Sequence, residues 1–332
     1  MELFFSFIIP VYNRPNEIKE LLVSFNNLNG NYDFEIVIIE DGSSNTSKAV
    51  VESFDKLDIT YLFKENSGPG DSRNFGMERA KGNYFIILDS DCILPQHYLK
   101  AVINSFSNQF TDCFGGPDAA HPSFTNLQKA INFSMTSFIT TGGIRGNKKR
   151  VAKFEPRSFN MGISKKAFVA SGGFGKIHPG EDPDLSIRLE RLGFTTKLIP
   201  AAFVYHKRRI SWSTFYQQVH KFGMVRPILN KWHPHTKKIT YWFPMLFALG
   251  VVPAILGSLL GYNLLGTIYI AYLVLCFLVA LFETKNLIVA FLAIPAVVIQ
   301  FIGYGYGFLR ASLKLKSSSK PIEELFPNLF FK

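Results

Sequence analysis

Cysteine is scarce in this sequence, with three residues in 332, and Cys92, Cys113 and Cys276 show none of the paired spacing of a structural zinc site. An odd, scattered set also excludes a disulfide framework and points to buried free thiols in a reducing compartment. No G-x-G-x-x-G follows the first apolar run, which counts against a dinucleotide oxidoreductase. The N-terminus MELFFSFIIP is apolar, but it begins with Glu2, has no basic region and stops at Pro10, so it reads as a first strand and not a signal peptide. Charge almost vanishes from 241–309, where Glu283 and Lys285 stand alone. Acid is missing from 206–240, a stretch that carries Lys207, Arg208, Arg209, Lys221, Arg226, Lys231, Lys237 and Lys238.

These last two absences belong together. Hydrocarbon cannot solvate free backbone groups, so uncharged apolar stretches beyond about 18 residues read as membrane helices. Three are expected, at 241–262, 264–281 and 287–309, within a range of two to four membrane segments. A basic block beside them suits an anionic leaflet, which accounts for the net charge of +11 without nucleic acid as a partner. With the soluble part inside, three full crossings would put Arg310, Lys314, Lys316 and Lys320 outside, against the positive-inside rule. Pro253, Pro295 and Gly303-x-Gly305-x-Gly307 permit one kinked or re-entrant segment, so the C-terminus is expected inside. The expected division is 1–235 as the catalytic domain and 236–332 as juxtamembrane and transmembrane region.

Within 1–235, short apolar runs rich in aromatic and β-branched residues lie at 5–9, 34–39, 59–63 and 84–88. Helical patterns fill the gaps at 16–25, 44–54 (opened by a serine cap) and 69–80. Such alternation predicts an α/β fold, a mainly parallel sheet with helices on both faces. Ligands then bind beyond the carboxyl ends of the strands. The residues expected at those ends are Pro10-Val11-Tyr12-Asn13, Glu40-Asp41-Gly42-Ser43 and Asp89-Ser90-Asp91.

Three constellations carry chemistry. Asp89 and Asp91 leave one strand two residues apart, where both reach one hard cation, Mg2+ or Mn2+, with diphosphate oxygens completing its shell. Glu181, Asp182 and Asp184 open a helix after Gly172-Gly173-Phe174-Gly175, where the helix dipole also favours acids for stability alone. Asn66-Ser-Gly-Pro-Gly-Asp-Ser-Arg-Asn74 runs from a strand end into a helix; Gly68 and Gly70 admit backbone amides to a ligand, and Arg73 adds a guanidinium.

Taken in order, Ser6–Arg14, Ile39–Ser44, Gly70–Asn74, Leu88–Asp91 and Gly180–Leu185 resemble the family 2 glycosyltransferases of GT-A fold, over about 1–240. The resemblance implies an inverting transfer of sugar from a UDP- or GDP-sugar to a membrane-associated acceptor, a lipid-linked or other glycan, at the inner (cytoplasmic) membrane, the enzyme being multi-pass. It implies a nucleotide-sugar site of Pro10, Tyr12, Asp41, Gly68, Arg73, Asp89 and Ser90, and a metal held by Asp91, Asp89 and His206. Asp182 would be the catalytic base with Glu181 beside it. Processive members carry Q-x-x-R-W; here Gln218-Val-His-Lys-Phe222 keeps only the glutamine, which favours single transfer. Alternatives are a polyprenyl-phosphate acceptor, which needs no strong base, and a non-catalytic membrane scaffold. A haloacid-dehalogenase-like phosphatase would carry its Asp-x-Asp after the first strand, and here the pair follows the fourth.

Overall fold

The computed structural model describes residues 3–142, 155–207 and 211–331. Of the expected 142–153 loop only Gly142 falls among them, and Arg208 and Arg209 lie outside them. The chain divides into two compact units. The first holds Met1–His121, Ile144–Lys207 and Phe330–Lys332, and the second Pro122–Gly143 and Arg208–Leu329.

In the first unit, strands β1 (Phe5–Val11), β2 (Phe34–Asp41), β3 (Ile59–Lys64) and β4 (Tyr84–Leu88) pair in parallel in the order β3-β2-β1-β4. They alternate with α1 (Pro15–Asn26), the single turn α2 (Lys48–Val51) and α3 (Pro69–Arg79). Then come β5 (Cys92–Ile93), α4 (Tyr98–Asn108), β6 (Cys113–Gly115) and β7 (Asp118–Ala119). Helices α5 (Asn126–Thr136) and α6 (Phe138–Thr141) belong to the second unit. The first unit resumes with β8 (Asn160–Ser164), α7 (Lys165–Ser171), α8 (Glu181–Arg191), β9 (Thr196–Leu198) and β10 (Val204–His206). The main sheet reads β3-β2-β1-β4-β8-β6-β9, with β8 antiparallel to both neighbours, and a small second sheet reads β5-β10-β7.

Strand alternation feeds two cores. Phe5, Phe7, Ile9, Ile36, Ile38, Tyr84 and Ile86 pack on one face with α1 and α4, while Ile8, Val37, Ile39, Phe85 and Ile87 pack on the other with Met77, Leu185 and Leu189. Each of these side chains is buried, and full burial of one such group contributes roughly 1.5–3 kcal/mol over leaving it in water. The strand ends are therefore rigidly placed.

The expected helix at 44–54 shrinks to α2 because its serines are engaged elsewhere. Ser43 and Ser47 donate to Glu40, Ser44 donates to Asn13, and Ser47 makes no side-chain cap. Local side-chain bonds of this kind compete with helix formation. Asn13 itself sits at φ 54 and accepts from the Ser44 hydroxyl and the Asn45 N–H, lacing the end of β1 to the end of β2.

The second unit is helical. With α5 and α6 it contains α9 (Trp212–Trp232), α10 (Phe243–Leu259), α11 (Leu264–Thr284), α12 (Leu287–Ser317) and the short α13 (Ile322–Leu325). Among the described residues three segments are long and apolar enough to cross a membrane: Ile239–Leu259, Leu264–Thr284 and Leu287–Ser317. Much of α10 and α11 is exposed hydrocarbon, including Leu246, Leu249, Val252, Ile268, Val274 and Phe282. The helix α12 continues through Pro295 for 31 residues, about 46 Å at 1.5 Å per residue. The glycine run serves close approach. A Cβ at Gly307 would stand 2.2 Å from the His220 carbonyl oxygen, and one at Gly223 would stand 2.1 Å from that of Tyr304. Because α9 packs along α12, it belongs to the second compact unit, which takes in Arg208–Leu329.

Candidate active site

The end of β4 delivers Asp89-Ser90-Asp91, and β5 follows at once. Antiparallel pairing of β5 with β10 sets Cys92 opposite His206, and the Lys207 N–H donates to the Asp91 carbonyl at 3.0 Å. His206 Nε2 thereby comes to 3.1 Å from Asp91 Oδ1 and 3.9 Å from Asp89 Oδ2. Asp91 Oδ1 is buried and has no aligned hydrogen bond, so it and the imidazole face a common point. Two donors bound at right angles to one cation at about 2.1 Å stand about 3 Å apart, so these residues fit a Mg2+ or Mn2+ ion. Two carboxylates and one imidazole form a mixed oxygen and nitrogen donor set that suits a divalent cation. Cys92 adjoins this set, but its thiol bonds to the Phe159 carbonyl and burial pushes it well up, keeping it protonated.

The surroundings hold these groups in place. Burial pushes the Asp91 carboxyl up, but His206 and the Arg14 guanidinium outweigh it and hold it well below the usual carboxylate range. Arg14 donates to Asp91 Oδ2 at 2.6 Å. The His206 ring stacks on Phe159 at 5.0 Å, and its Nδ1 lies 4.0 Å from Asp118 Oδ2, a buried carboxylate on the neighbouring β7.

Arg73 links two parts of the site. Its side chain is 3% exposed, with one end on Asp89 Oδ1 and the other on Glu181 Oε1, both at 2.8 Å. It is the post between the metal acids and α8. Glu181 is equally buried and also meets His178 Nδ1 at 3.1 Å. Burial raises its carboxyl, yet His178 and Arg73 pull it down to about 2, so it stays an ion and makes a poor base. Asp182, next in sequence, points another way. Its nearest donors are the Ser158 N–H at 3.4 Å and Arg157 at 3.8 Å, and burial raises its carboxyl more than Arg157 lowers it. Asp182 is thus a carboxylate held above its ordinary range and short of close partners. Asp184 is engaged with Arg188 at 2.9 Å, and Arg188 also donates to the Ser171 and Gly173 carbonyls, fixing the glycine loop.

At the β2 end, Asp41 accepts from Lys64 Nζ and the Ser67 N–H on one oxygen and from the Gly68 N–H on the other. It is thus the organiser of the loop before α3, with one acceptor position left on Oδ2. Glu40 lies fully buried behind it and accepts from Ser43, from both donors of Ser47 and from Tyr61. Pro10 is buried in β1 beside Ile39, Ser90 is buried, and Tyr12 presents a 54% exposed ring at the strand end.

Arg14, Glu40, Asp118, Arg157 and His178 carry parts of this site without having been singled out from the sequence. Arg14 and Glu40 stand inside motifs quoted above, so their signal was present. Asp118 and Arg157 carry no local signal at all, since short strand pairings bring them in.

The glycosyl transferase family 2 profile matches residues 6–169. Chondroitin synthase of Escherichia coli is 26% identical over 235 residues, 61% of this chain and 34% of that protein. A Campylobacter jejuni enzyme named GalNAc(5)-diNAcBac-PP-undecaprenol beta-1,3-glucosyltransferase is 27% identical over 195 residues, 55% of this chain and 59% of that one. This chain therefore spans between about a third and three fifths of the length of those two relatives. A mannosyltransferase from Pyrobaculum calidifontis, solved with GDP-Man and Mn2+, superposes with a TM-score of 0.58 at 16% identity, covering 94% of this chain and 88% of its own, a likeness of fold. Strand order, the acids at the strand ends and the matched profile agree: this chain carries a glycosyl transferase family 2 domain of GT-A fold.

Proposed function

We propose that this protein is an inverting glycosyltransferase that moves a sugar from a UDP- or GDP-sugar to a hydroxyl of a membrane-associated acceptor, a lipid-linked glycan or growing surface polysaccharide. The observation that carries the reading is the convergence of Asp89, Asp91 and His206 at the strand ends, with the proton-accepting Asp182 opening α8. Asp182 takes the acceptor proton as the hydroxyl oxygen attacks the anomeric carbon on the face opposite the departing diphosphate. Arg73 keeps Asp89 and Glu181 fixed relative to each other, so Asp182 holds its position at the start of α8. When Mg2+ or Mn2+ is bound by Asp89, Asp91 and His206, it supplies Lewis-acid neutralisation of the diphosphate's growing charge. Tyr12 offers an aromatic face to the base. The GDP-sugar class is supported by the nucleotide sugar seen in the archaeal neighbour, and the acceptor class by the polyprenyl-linked glycan named for the Campylobacter relative. The apolar α10 and α11 support attachment to the membrane.

The test uses the full chain in detergent with UDP- and GDP-sugars and Mn2+, scoring nucleoside diphosphate release with and without lipid-linked acceptors. Release that needs a divalent ion and falls at least a hundredfold in Asp91→Asn is expected. Full activity in excess chelator would overturn the metal assignment, and no nucleotide release with any acceptor would overturn the function.

A further inference from the structure

The chain returns to its first unit at Phe330. There Phe330 bridges Ile177 in antiparallel fashion, and the Phe331 N–H donates to the Lys176 carbonyl at 3.2 Å. This short pairing lays the Phe331 ring against Gly68, so closely that a Cβ there would stand 2.3 Å from it. The ring centroid lies 5.9 Å from that of His178. Both neighbours belong to the site. Gly68 gives its N–H to Asp41, and His178 is the second partner of the Glu181 that holds Arg73.

We propose that Phe331 is a specificity-determining wall of the donor site, an aromatic panel supplied by the tail that sets how tightly a nucleoside-diphosphate sugar is held. This rests on the donor reading above. Three features argue for it. Gly68 is a residue without a side chain, at φ 93, and the ring fills the space a side chain would take. The ring covers the loop organised by Asp41 and one side of the His178–Glu181 pair, lowering the water content around a buried ionic network and so strengthening it. An aromatic face beside the start of α3 also suits a ligand that is part flat ring and part anion.

Wild type, Phe331→Ala and Phe331→Tyr are compared as full chains in detergent. UDP and GDP binding is titrated by calorimetry in Mn2+, and donor KM and kcat are measured separately. Phe331→Ala is expected to weaken binding of the preferred nucleotide and raise donor KM by about tenfold, with kcat within twofold and thermal midpoint unchanged. Phe331→Tyr, which keeps the ring, is expected to restore wild-type KM. Equal affinity in Phe331→Ala would refute the wall. Tighter binding would also refute it, showing the tail to be an obstruction. Failure of wild type to bind either nucleotide would instead strike the donor reading on which this one rests.

Discussion

Exchanging Asp182 for Asn removes a base while leaving its contacts almost intact, which makes it the sharpest probe of the chemistry. The side chain is 17% exposed and its nearest donors are long, the Ser158 N–H at 3.4 Å and Arg157 at 3.8 Å. A partly exposed pair of that length is worth at most about 1 kcal/mol, and the amide oxygen of Asn still accepts from Ser158. Asn also relieves the burial that raises the Asp182 carboxyl. The thermal midpoint should therefore move by no more than about 3 °C. The rate should fall about 10²–10⁴-fold, as expected for a lost general base. Glu181→Gln should do the reverse. It leaves Arg73, 3% exposed, facing a neutral partner, and breaking a buried pair costs about 3–5 kcal/mol. Asp184→Asn loses the Arg188 contact and should stay within several-fold of wild type. Steady-state kinetics on a hydroxyl acceptor, nucleotide calorimetry and thermal unfolding on the three variants give the comparison. In wild type, kcat/KM should fall on the acid side with a midpoint above the usual Asp value near 4, and Asp182→Asn should lack that limb. Wild-type kcat in Asp182→Asn, or loss of nucleotide binding in its place, would refute the assignment.

Glu181 gives a stability prediction with a definite sign. Its folded carboxyl lies at about 2 against an ordinary 4.5, so the stabilisation is complete above about pH 4.5 and is lost as pH falls toward 2. Urea unfolding at pH 6 and pH 3 should show wild type losing a few kcal/mol that Glu181→Gln does not lose, and parallel losses would contradict it. Glu40→Gln should lower stability by about 1–3 kcal/mol, because a carboxylate accepting from Ser43, Ser47 and Tyr61 is replaced by a group that is half donor. Its donor KM should rise as well, since the same clip shapes the loop after Asp41; an unchanged midpoint in thermal unfolding would count against this.

The sheet and its acids were legible because their signals are local. Runs such as 34–39 and 84–88 alternate between two apolar faces and end in turn residues, so the position of Asp89 and Asp91 follows from the chain nearby. The partnership of His206 with Asp91 and Asp118 depends on β5, β7 and β10, strands of two or three residues that carry no periodicity. Family resemblance pointed to His206, but nothing pointed to Asp118. That Arg73 is buried between Asp89 and Glu181 was not legible, because a sequence shows a residue's type and not its burial. The helix expected at 44–54 failed because Glu40, fixed by the sheet, competes for the serines that would have capped it. Composition changes near Thr240, whereas the packing of α9 along α12, through glycines that also permit a kink, is a tertiary feature with no local signal.

The return of the chain to the first unit at Phe330 imposes a parity rule on the membrane region. The chain leaves that folded unit after Lys207 and re-enters it at Phe330, so both ends of the intervening stretch lie on one side of any bilayer it enters. Every complete crossing reverses the side, and only an even count brings the chain home. Three helices have the length to cross, so they cannot all do so. The exposed α10 and α11 form a natural out-and-back pair, whereas α12 is sheathed by α5 and α9 along the face bearing Ala296, Gly303 and Gly307. We therefore expect an even number of crossings, with Arg310, Lys314, Lys316 and Lys320 reached from the same side as the first unit. Cysteine labelling at Lys320 in sealed vesicles should match labelling at an exposed site of the first unit; labelling from opposite sides would break the rule.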